Sequence, residues 1–445
     1  MALEDFHLSS NRLTGSIPSL LIKITRLDIS NNKFSGVIPS NFEASKLEML
    51  LIYSNRIGGY IPDSICKLQQ LSYLDLSNNF FEGEIPQCFH IQQMKYLLLS
   101  NNSLSRRLFP AFLQNNTYLE FLDLAWNKLP GRLPTWIGDL GKLHFVLLSH
   151  NAFSDNILVD ITRLMVLQYL DLSGNNFSGS IPWHLSNLTL MKKVQKQQFM
   201  YIDDGYTGSE IDGMIQMSAG QFKEIFLVVT KGQQLVYGRA FAYFVSIDLS
   251  GNSLTGEIPT SITSLAALMN LNLSSNKLSG QIPNMIGSMQ SLVSLDLSRN
   301  KLSGEIPSSL SSLASLAALN LSYNNLSGRI PSGRQLDTLN PYNPSIMYIG
   351  NTGLCGHPLQ NNCPGNDSFI IHGDPRSSKQ LFDPFTFQFG LVLGLVLGLW
   401  IVFCALLFKR TWRVAYFRLL DEVYDQVYVF VVVKWASLAK NTTTE

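Results

Sequence analysis

Charge is scarce in this chain. Only 15% of its 445 residues are charged, and 33 Lys and Arg balance 32 Asp and Glu to a net charge of +1. Soluble domains carry about 25% charged residues, and a nucleic-acid-binding protein needs a basic surface that this balance does not supply. Five cysteines are too few for a small disulfide scaffold, and 46% hydrophobic residues argue against disorder. A folded protein, a membrane protein or both remain.

The sequence also lacks the short motifs of common enzymes. It contains no His-Glu-x-x-His run, no Gly-x-Ser-x-Gly elbow, no Walker loop and no kinase signature. The acidic residues Asp203, Asp204, Glu210 and Asp212 do not follow the spacing of an EF-hand, so we expect a solvated loop there. We therefore predict no enzymatic activity, no metal and no cofactor.

What the chain has is one phrase, repeated. In one copy Leu74-Asp75-Leu76-Ser77-Asn78-Asn79 runs on to Gly-Glu-Ile-Pro, which ends at Pro86. Each copy carries one asparagine at a fixed place, the anchoring asparagine: Asn11, Asn32, Asn55, Asn79, Asn102, Asn127, Asn151, Asn175, Asn252, Asn276, Asn300 and Asn324. Their spacings are 21, 23, 24, 23, 25, 24, 24, 77, 24, 24 and 24, which is the leucine-rich-repeat period. The 77 exceeds one 24-residue repeat by 53, so an insertion separates repeats 8 and 9.

The residue types of the phrase predict its fold. Each Leu-x-Leu segment forms a short strand, and stacked repeats bury the leucines and pair the strands into a parallel sheet on the concave side. Intervening residues such as Asp75 and Asn272 should point outward. The anchoring asparagine should turn inward to bond backbone groups, and Gly-x-Ile-Pro should mark the turn towards the convex side. We predict an α/β-type solenoid, a leucine-rich-repeat superhelix with a concave parallel sheet.

The form Leu-x-Gly-x-Ile-Pro after the anchoring asparagine resembles the plant-specific class of these repeats. The layout of eight repeats, an island and four repeats resembles the plant leucine-rich-repeat receptor-like proteins of the Cf/Eix type. The resulting organisation is an eight-repeat block (1–190), the island domain (191–243), a four-repeat block (244–332), a C-terminal cap (333–366), an extracellular juxtamembrane segment (367–388), a transmembrane helix (389–408) and a cytoplasmic tail (409–445).

The resemblance assigns roles within the island and the cap. Lys231 and Tyr237 match the family's Lys-x5-Tyr motif, which implies contact with ligand and with a SERK-type co-receptor kinase. The cap resembles the family's, and its Cys355 and Cys363 form the expected disulfide in an oxidising compartment. Cys66 and Cys88 lie on successive convex segments, where a second disulfide and two free thiols are equally compatible with the spacing.

One apolar run can cross a bilayer. Residues 389–408 are 20 residues without a charge, and the cations Lys409 and Arg410 follow at once. This bias predicts a single-pass type I protein of the plasma membrane, with extracellular repeats and a cytoplasmic C-terminus.

Three glycines recur every fourth residue within that run, which places Gly390, Gly394 and Gly398 on one helix face. Small residues permit close helix pairing, although glycine is also common in membrane helices generally. The resemblance implies pairing with an adaptor leucine-rich-repeat receptor kinase.

Eight Asn-x-Ser/Thr sequons on the repeat side agree with this orientation. They begin at Asn101, Asn115, Asn176, Asn187, Asn272, Asn320, Asn325 and Asn366.

Bulky departures from the repeat consensus are the candidate ligand contacts of the concave face. These candidates are Trp126, His144, Phe121, Phe145 and Tyr53. Exposed aromatic residues commonly mark binding surfaces. The alternative is that aromatic residues before the middle leucine pack sideways, and we favour it for Tyr73, Tyr96 and Tyr169.

The resemblance implies a non-enzymatic receptor-like protein that perceives an extracellular peptide or protein ligand, most simply one from a pathogen, and signals through partner kinases. A developmental peptide receptor, a polygalacturonase-inhibitor-like protein and a non-signalling remnant are the alternatives. Family members open with a signal peptide and a paired-cysteine cap, whereas Met1 here begins almost inside a repeat. We therefore expect an N-terminally truncated chain.

Overall fold

The computed structural model describes residues 5–17, 24–40, 44–88, 91–105, 109–192 and 244–363, together with two strands at 226–230 and 233–237. Residues 1–365 form one compact unit and residues 366–445 another. The predicted transmembrane helix and cytoplasmic tail lie outside the described residues. Among the helices within the described ranges, none is both long and apolar enough to cross a membrane.

A twelve-stranded parallel sheet takes one strand from each repeat in sequence order, which confirms the predicted solenoid. The middle residues lie side by side, as Leu27, Leu50 and Leu74 do, and all three are buried. The strands are Asp5–His7, Arg26–Asp28, Met49–Leu51, Tyr73–Asp75, Tyr96–Leu98, Phe121–Asp123, Phe145–Leu147, Tyr169–Asp171, Ser246–Asp248, Asn270–Asn272, Ser294–Asp296 and Ala318–Asn320.

The sheet continues across the insertion. Tyr169–Asp171 of repeat 8 pairs directly with Ser246–Asp248 of repeat 9. The Phe177 N–H also donates to the Asn252 side-chain oxygen across the same junction, at 3.0 Å. The insertion therefore does not interrupt the stack. Within the insertion Phe226–Thr230 and Gln233–Tyr237 form an antiparallel pair.

From Asn32 onwards, the anchoring asparagines form the predicted ladder of inward-turned amides. The Nδ2 of Asn79 donates to the carbonyl oxygens of Ile52, Leu76 and Ser77 at 3.0–3.2 Å, and its Oδ1 accepts from the Ile57 N–H at 3.1 Å. Because each amide bonds its own turn and the preceding one, it joins neighbouring repeats. The cap adds a further rung through Asn351.

The convex side carries short 3₁₀ helices in place of the α-helices of an α/β solenoid. Only about five residues separate each Ile-Pro turn from the next repeat, and the tighter helix suits so short a segment. The 3₁₀ helices are Asp63–Lys67, Ala111–Asn115, Thr135–Asp139, Val159–Arg163, Trp183–Asn187, Thr260–Ser264, Ile286–Ser288, Ser308–Ser312 and Pro344–Met347. Within the described ranges, short α-helices are formed by Thr189–Lys192 and Arg334–Thr338.

Additional parallel sheets follow the anchoring asparagines, which the repeat pattern did not predict. The largest has five strands, Thr14–Gly15, Lys33–Gly36, Arg56–Tyr60, Phe80–Gly83 and Ser103–Leu104. Two have three strands each: Pro130–Gly131, Ala152–Asn156 and Asn176–Ser178, and then Ser303–Gly304, Asn325–Arg329 and Gly353–Cys355.

The core between these layers contains one unusual polar residue. Asn116 follows the helix Ala111–Asn115 at the place that Leu68, Leu140 and Leu164 occupy after the corresponding helices. Its exposed fraction is 0%, and no described residue gives either of its side-chain atoms a hydrogen bond. A polar amide thus occupies a leucine position.

Two disulfides are present. Cys66 and Cys88 are joined across successive convex segments, with 4.6 Å between their Cα atoms. Cys355 and Cys363 are joined in the cap, with 5.0 Å between their Cα atoms.

Candidate functional site: the concave sheet and its rim

Each strand of the main sheet places two residues on the concave face, one before and one after its buried middle residue. The first concave column is Asp5, Arg26, Met49, Tyr73, Tyr96, Phe121, Phe145, Tyr169, Ser246, Asn270, Ser294 and Ala318. The second concave column is His7, Asp28, Leu51, Asp75, Leu98, Asp123, Leu147, Asp171, Asp248, Asn272, Asp296 and Asn320.

The two columns change character at the insertion. From repeat 3 to repeat 8 the first column is entirely large and apolar or aromatic, and the second alternates between leucine and aspartate. From repeat 9 to repeat 12 the first column is small, and the second alternates between aspartate and asparagine. The alternation in the second column was not recognised in the sequence, although the residue after each middle leucine carries it.

The apolar residues of repeats 3–8, with Phe244 and Met269 from the two repeats that follow, form what we call the concave cluster. Its members are Met49, Leu51, Tyr73, Leu98, Phe121, Tyr169 and Phe244, with Tyr53, Tyr96, Phe145, Leu147 and Met269 partly buried against them. Rings in adjacent strands stack: Phe121 lies 4.8 Å from Phe145, and Tyr73 lies 4.9 Å from Tyr96, between centroids. Most of these side chains are buried against one another, and only the partly buried members leave apolar surface on this part of the face.

The residues predicted from the sequence to contact a ligand on this face differ in how deeply they are buried. Phe121 has an exposed fraction of only 1%, so the expectation of an exposed ring was wrong for this residue. A ring in this column has an aromatic neighbour in the adjacent strand, as Phe121 has Phe145, and such pairs pack face to face. Tyr53, His144 and Phe145 remain partly exposed and offer surface to a ligand.

A polar group borders the cluster at the start of the strands. The Tyr96 hydroxyl donates to the Glu120 carboxylate at 3.2 Å, and His144 follows Glu120 one repeat later. Burial raises the pKa of Glu120, against the hydrogen bond from Tyr96 and the nearby charges of Lys95 and His144, which lower it. The edge therefore combines a hydroxyl, a carboxyl and an imidazole beside aromatic rings.

The acids of the second column are not free outward groups, contrary to the sequence-based expectation. Asp75 is buried, and its Oδ1 accepts from the backbone and the hydroxyl of Ser77 at 2.9 and 2.7 Å. Burial raises the pKa of Asp123 to about 7, while hydrogen bonds from Ser100 and the Ala125 N–H act in the opposite direction. These carboxyl groups are held within the face.

In repeats 9–12 the second column consists of two hydrogen-bonded pairs. Asn272 donates to Asp248 at 2.9 Å, and Asn320 donates to Asp296 at 3.2 Å. Both asparagines begin predicted sequons, and Asn272 lies on the concave face as expected but is buried there. In the first column Asn270 donates to the Ser246 hydroxyl at 2.9 Å. This part of the face satisfies its own polar groups.

Trp126 lies outside the two columns. It is one of twelve residues that directly precede the anchoring asparagines, and all twelve have φ between +51° and +64°. We call them the rim column: Ser10, Asn31, Ser54, Asn78, Asn101, Trp126, His150, Gly174, Gly251, Ser275, Arg299 and Tyr323. Trp126 was expected among the sheet aromatics and His150 was not predicted, although both directly precede an anchoring asparagine.

The side chain of Trp126 is 51% exposed and lies flat on His150, with 3.7 Å between ring centroids and 6° between planes. Burial lowers the pKa of His150, which favours the neutral ring. The ring of His150 is in turn close to the Gly174 backbone, since a Cβ built on that glycine would lie 3.2 Å from it. Trp126 is therefore a flat, supported and half-open aromatic surface.

Some of the remaining predicted site residues are exposed on the solenoid, and others lie outside the described residues. Asn101, Asn115, Asn176, Asn187 and Asn325 are exposed. The side chains of Lys231 and Tyr237, and all of Gly390, Gly394, Gly398 and Asn366, lie outside the described residues. Within the described ranges, no three His, Cys, Asp or Glu side chains are grouped to hold a metal ion.

Family models for leucine-rich repeats match both blocks of this solenoid. One matches residues 22–81, 245–302 and 267–326. A second matches residues 2–24, 118–140 and 166–188.

Curated relatives narrow the family further. Receptor-like protein EIX2 of Solanum lycopersicum is 42% identical over 443 residues, which cover 97% of this chain. The chain belongs to the plant leucine-rich-repeat receptor-like proteins. Receptor-like protein 33 of Arabidopsis thaliana is 33% identical over 60% of the chain. This receptor-like protein spans 42% of the first relative and 32% of the second.

Solved structures agree with the fold of this receptor-like protein. The Arabidopsis receptor kinase HAESA, in complex with the peptide hormone IDA and the co-receptor SERK1, superposes with a TM-score of 0.56 at 28% identity. The match covers 79% of this chain and 62% of that chain.

Proposed function

We propose that this protein is a non-enzymatic cell-surface receptor that binds an extracellular peptide or protein ligand on its concave face and signals through partner receptor kinases in plant defence. The observation that carries the proposal is the concave cluster. The repeat consensus does not require large apolar residues in the first concave column, since repeats 9–12 form the same strands with small ones. Apolar surface beyond what the scaffold needs is typical of binding surfaces.

The partly exposed members of the site give it a defined chemistry. Phe145 and Tyr53 supply apolar surface, while His144 and the Tyr96–Glu120 pair supply polar groups at the edge. A chain crossing the strands would therefore place apolar groups on the cluster and a polar or cationic group towards the edge. The HAESA ectodomain, of similar fold, is complexed with a peptide hormone, which supports a peptide or protein as the ligand class.

Two partner kinases complete the proposal. A SERK-type co-receptor would engage the island through Lys231 and Tyr237. The complex of HAESA with SERK1 supports this class of partner. An adaptor receptor kinase would pair with the predicted membrane helix along Gly390, Gly394 and Gly398. Replacing these three glycines with leucine should abolish co-purification of the adaptor, and unchanged co-purification would contradict the pairing.

The ligand proposal is tested by expressing the chain, tagged at its C-terminus, in plant leaf cells. The cells are treated with fungal culture filtrate or with a panel of plant peptide hormones, and recruitment of co-receptor kinase is measured. Recruitment by filtrate supports the defence role, and recruitment by a hormone supports the developmental alternative. Failure of both treatments, with the protein at the cell surface, favours the non-signalling remnant.

The site itself is tested with matched variants in the same assay. His144→Ala combined with Phe145→Ala should reduce recruitment at least tenfold, which corresponds to about 1.4 kcal/mol of binding free energy. Ser294→Ala changes the same column in repeat 11 and should leave recruitment within twofold. Equal responses of the two variants would remove the concave cluster from the proposed site.

A further inference from the structure

Trp126 has one open face, and the rim column shows what lies beside it. His150 of repeat 7 covers one face of the indole, and the rings are 6° from parallel. The preceding rim residue is Asn101 of repeat 5. The Asn101 N–H donates to the Ala125 oxygen at 3.0 Å and the Asn102 N–H donates to the Trp126 oxygen at 3.2 Å, so Asn101 and Trp126 are direct neighbours. The open face of Trp126 is thus turned towards repeat 5.

Asn101 has the properties of a modification site. It is exposed and begins the sequon Asn101-Asn102-Ser103. Its Nδ2 donates one N–H to the Asn78 side-chain oxygen at 2.8 Å, on the side away from Trp126. Glycosylation replaces only one of the two N–H bonds of an asparagine amide, so the contact to Asn78 can persist in the modified side chain.

We propose that an N-linked glycan on Asn101 packs its first N-acetylglucosamine ring on the open face of Trp126. In the transfer, the amide Nδ2 loses one proton and forms a bond to the sugar C1, while the lipid pyrophosphate of the oligosaccharide donor leaves. Trp126 then holds the glycan against the rim and does not contact the receptor's ligand. The proposal rests on the proposed function in one respect, since the repeats must enter the secretory lumen.

The spacing of the solenoid suits this contact. Adjacent repeats lie about 5 Å apart along the sheet, close to the separation of stacked rings. Side chains of neighbouring rim residues project in parallel, as the 3.7 Å stack of Trp126 on His150 demonstrates. A pyranose presents a face of C–H groups, which is attracted to an aromatic face by dispersion and by the ring quadrupole.

Two other described sequons differ from this pair. Tyr323, two residues before Asn325, has Arg299 4.8 Å above its ring and lies against the Gly350 backbone. Asn176 has Ser154 as its register partner in the neighbouring strand. Asn176 is therefore the matched control, because it is an exposed sequon without an aromatic register partner.

The test is a double-mutant cycle on the full chain expressed in plant leaf cells. Glycopeptide mass spectrometry first measures occupancy at each sequon. Thermal stability is then followed by the soluble fraction of tagged protein in heated detergent extracts. Trp126→Asn is used because asparagine already occupies this rim position in repeats 2, 4 and 5, at φ between +51° and +53°. The cycle combines Trp126→Asn with Asn101→Gln, and the control cycle combines it with Asn176→Gln.

We expect Trp126→Asn to lower the Tm by about 2–4 °C more when Asn101 is glycosylated than in the Asn101→Gln background. The Asn176 cycle should be additive. An unmodified Asn101 with glycans on other sequons would overturn this inference and leave the proposed receptor intact. Additive effects with Asn101 occupied would overturn the packing contact. Absence of glycans from every sequon would overturn both this inference and the cell-surface location.

Discussion

The blocks of repeats before and after the insertion have the same backbone fold and differ in their side chains. Repeats 9–12 keep a strict 24-residue spacing and satisfy their concave polar groups internally, as Asn272 does with Asp248. Repeats 3–8 place aromatic rings in the first concave column and leucines between buried acids in the second. They also place a tryptophan in the rim column and an asparagine in the core. The proposed ligand site and the proposed glycan contact both rest on residues of repeats 3–8 that differ from their counterparts while the backbone stays the same.

The largest predicted effect is common to both blocks and tests whether the backbone scaffold is the same. Asn79→Ala and Asn276→Ala each remove a buried amide that makes four hydrogen bonds. Each change leaves one buried backbone N–H unsatisfied and removes one of two donors from each of three carbonyl oxygens. It should therefore lower the free energy of unfolding by about 3 kcal/mol. Urea unfolding of the two variants measures this. A difference above about 1 kcal/mol would show that the blocks differ in their scaffold as well.

The asparagine ladder and the strands that it joins were predictable because the same pattern recurs in twelve repeats. The amide of Asn79 and the leucines around it are fixed by contacts between identical positions of neighbouring repeats. The 3₁₀ helices and the additional sheets were not predicted, because segments of two to five residues carry too little periodicity to identify.

The candidate site was predicted less completely, because its geometry depends on which unlike residues meet across repeats. Phe121 and Tyr53 are both bulky concave departures in the sequence, yet only Tyr53 keeps exposed surface. Trp126 and His144 look alike as departures, but one lies on the rim over His150 and the other borders the strands. Aligning the residue before each anchoring asparagine would have revealed the Trp126–His150 pair.

The second predicted effect tests the buried acids between leucines. Asp123 has its pKa raised to about 7 by burial, so the folded state retains a proton that the unfolded chain releases above about pH 4. Its contribution to stability is therefore present below pH 4 and is lost as the pH rises to about 7. Between pH 5 and pH 8 the native chain should lose about 2 kcal/mol that Asp123→Asn does not lose. Parallel stability profiles of the two proteins over this range would contradict the raised pKa.

The third predicted effect tests whether the polar residue in the core of the first block lowers its stability. Asn116 occupies a leucine position with neither side-chain atom hydrogen-bonded by a described residue. Asn116→Leu should raise the free energy of unfolding by about 1–2 kcal/mol, because it removes an unsatisfied amide and adds apolar burial. Asn115→Leu, at the exposed neighbouring residue, is the control and should give no gain. A destabilised Asn116→Leu would indicate that the pocket is shaped for the amide.

The smallest predicted effect compares one hydroxyl from each block, both in the first concave column. The Ser246 hydroxyl is buried and accepts from Asn270, so Ser246→Ala strands a buried N–H and should cost about 1–2 kcal/mol. Tyr96 is partly exposed and its hydroxyl makes one hydrogen bond to the buried Glu120, so Tyr96→Phe should cost about 1 kcal/mol, the net value of a typical hydrogen bond. It should also raise the pKa of Glu120 further, because the lost bond lowers that pKa. Urea unfolding at pH 7 ranks the two variants. The reverse order would mean that polar groups of repeats 3–8 are structural, and that their chemistry is set by folding and not by a ligand.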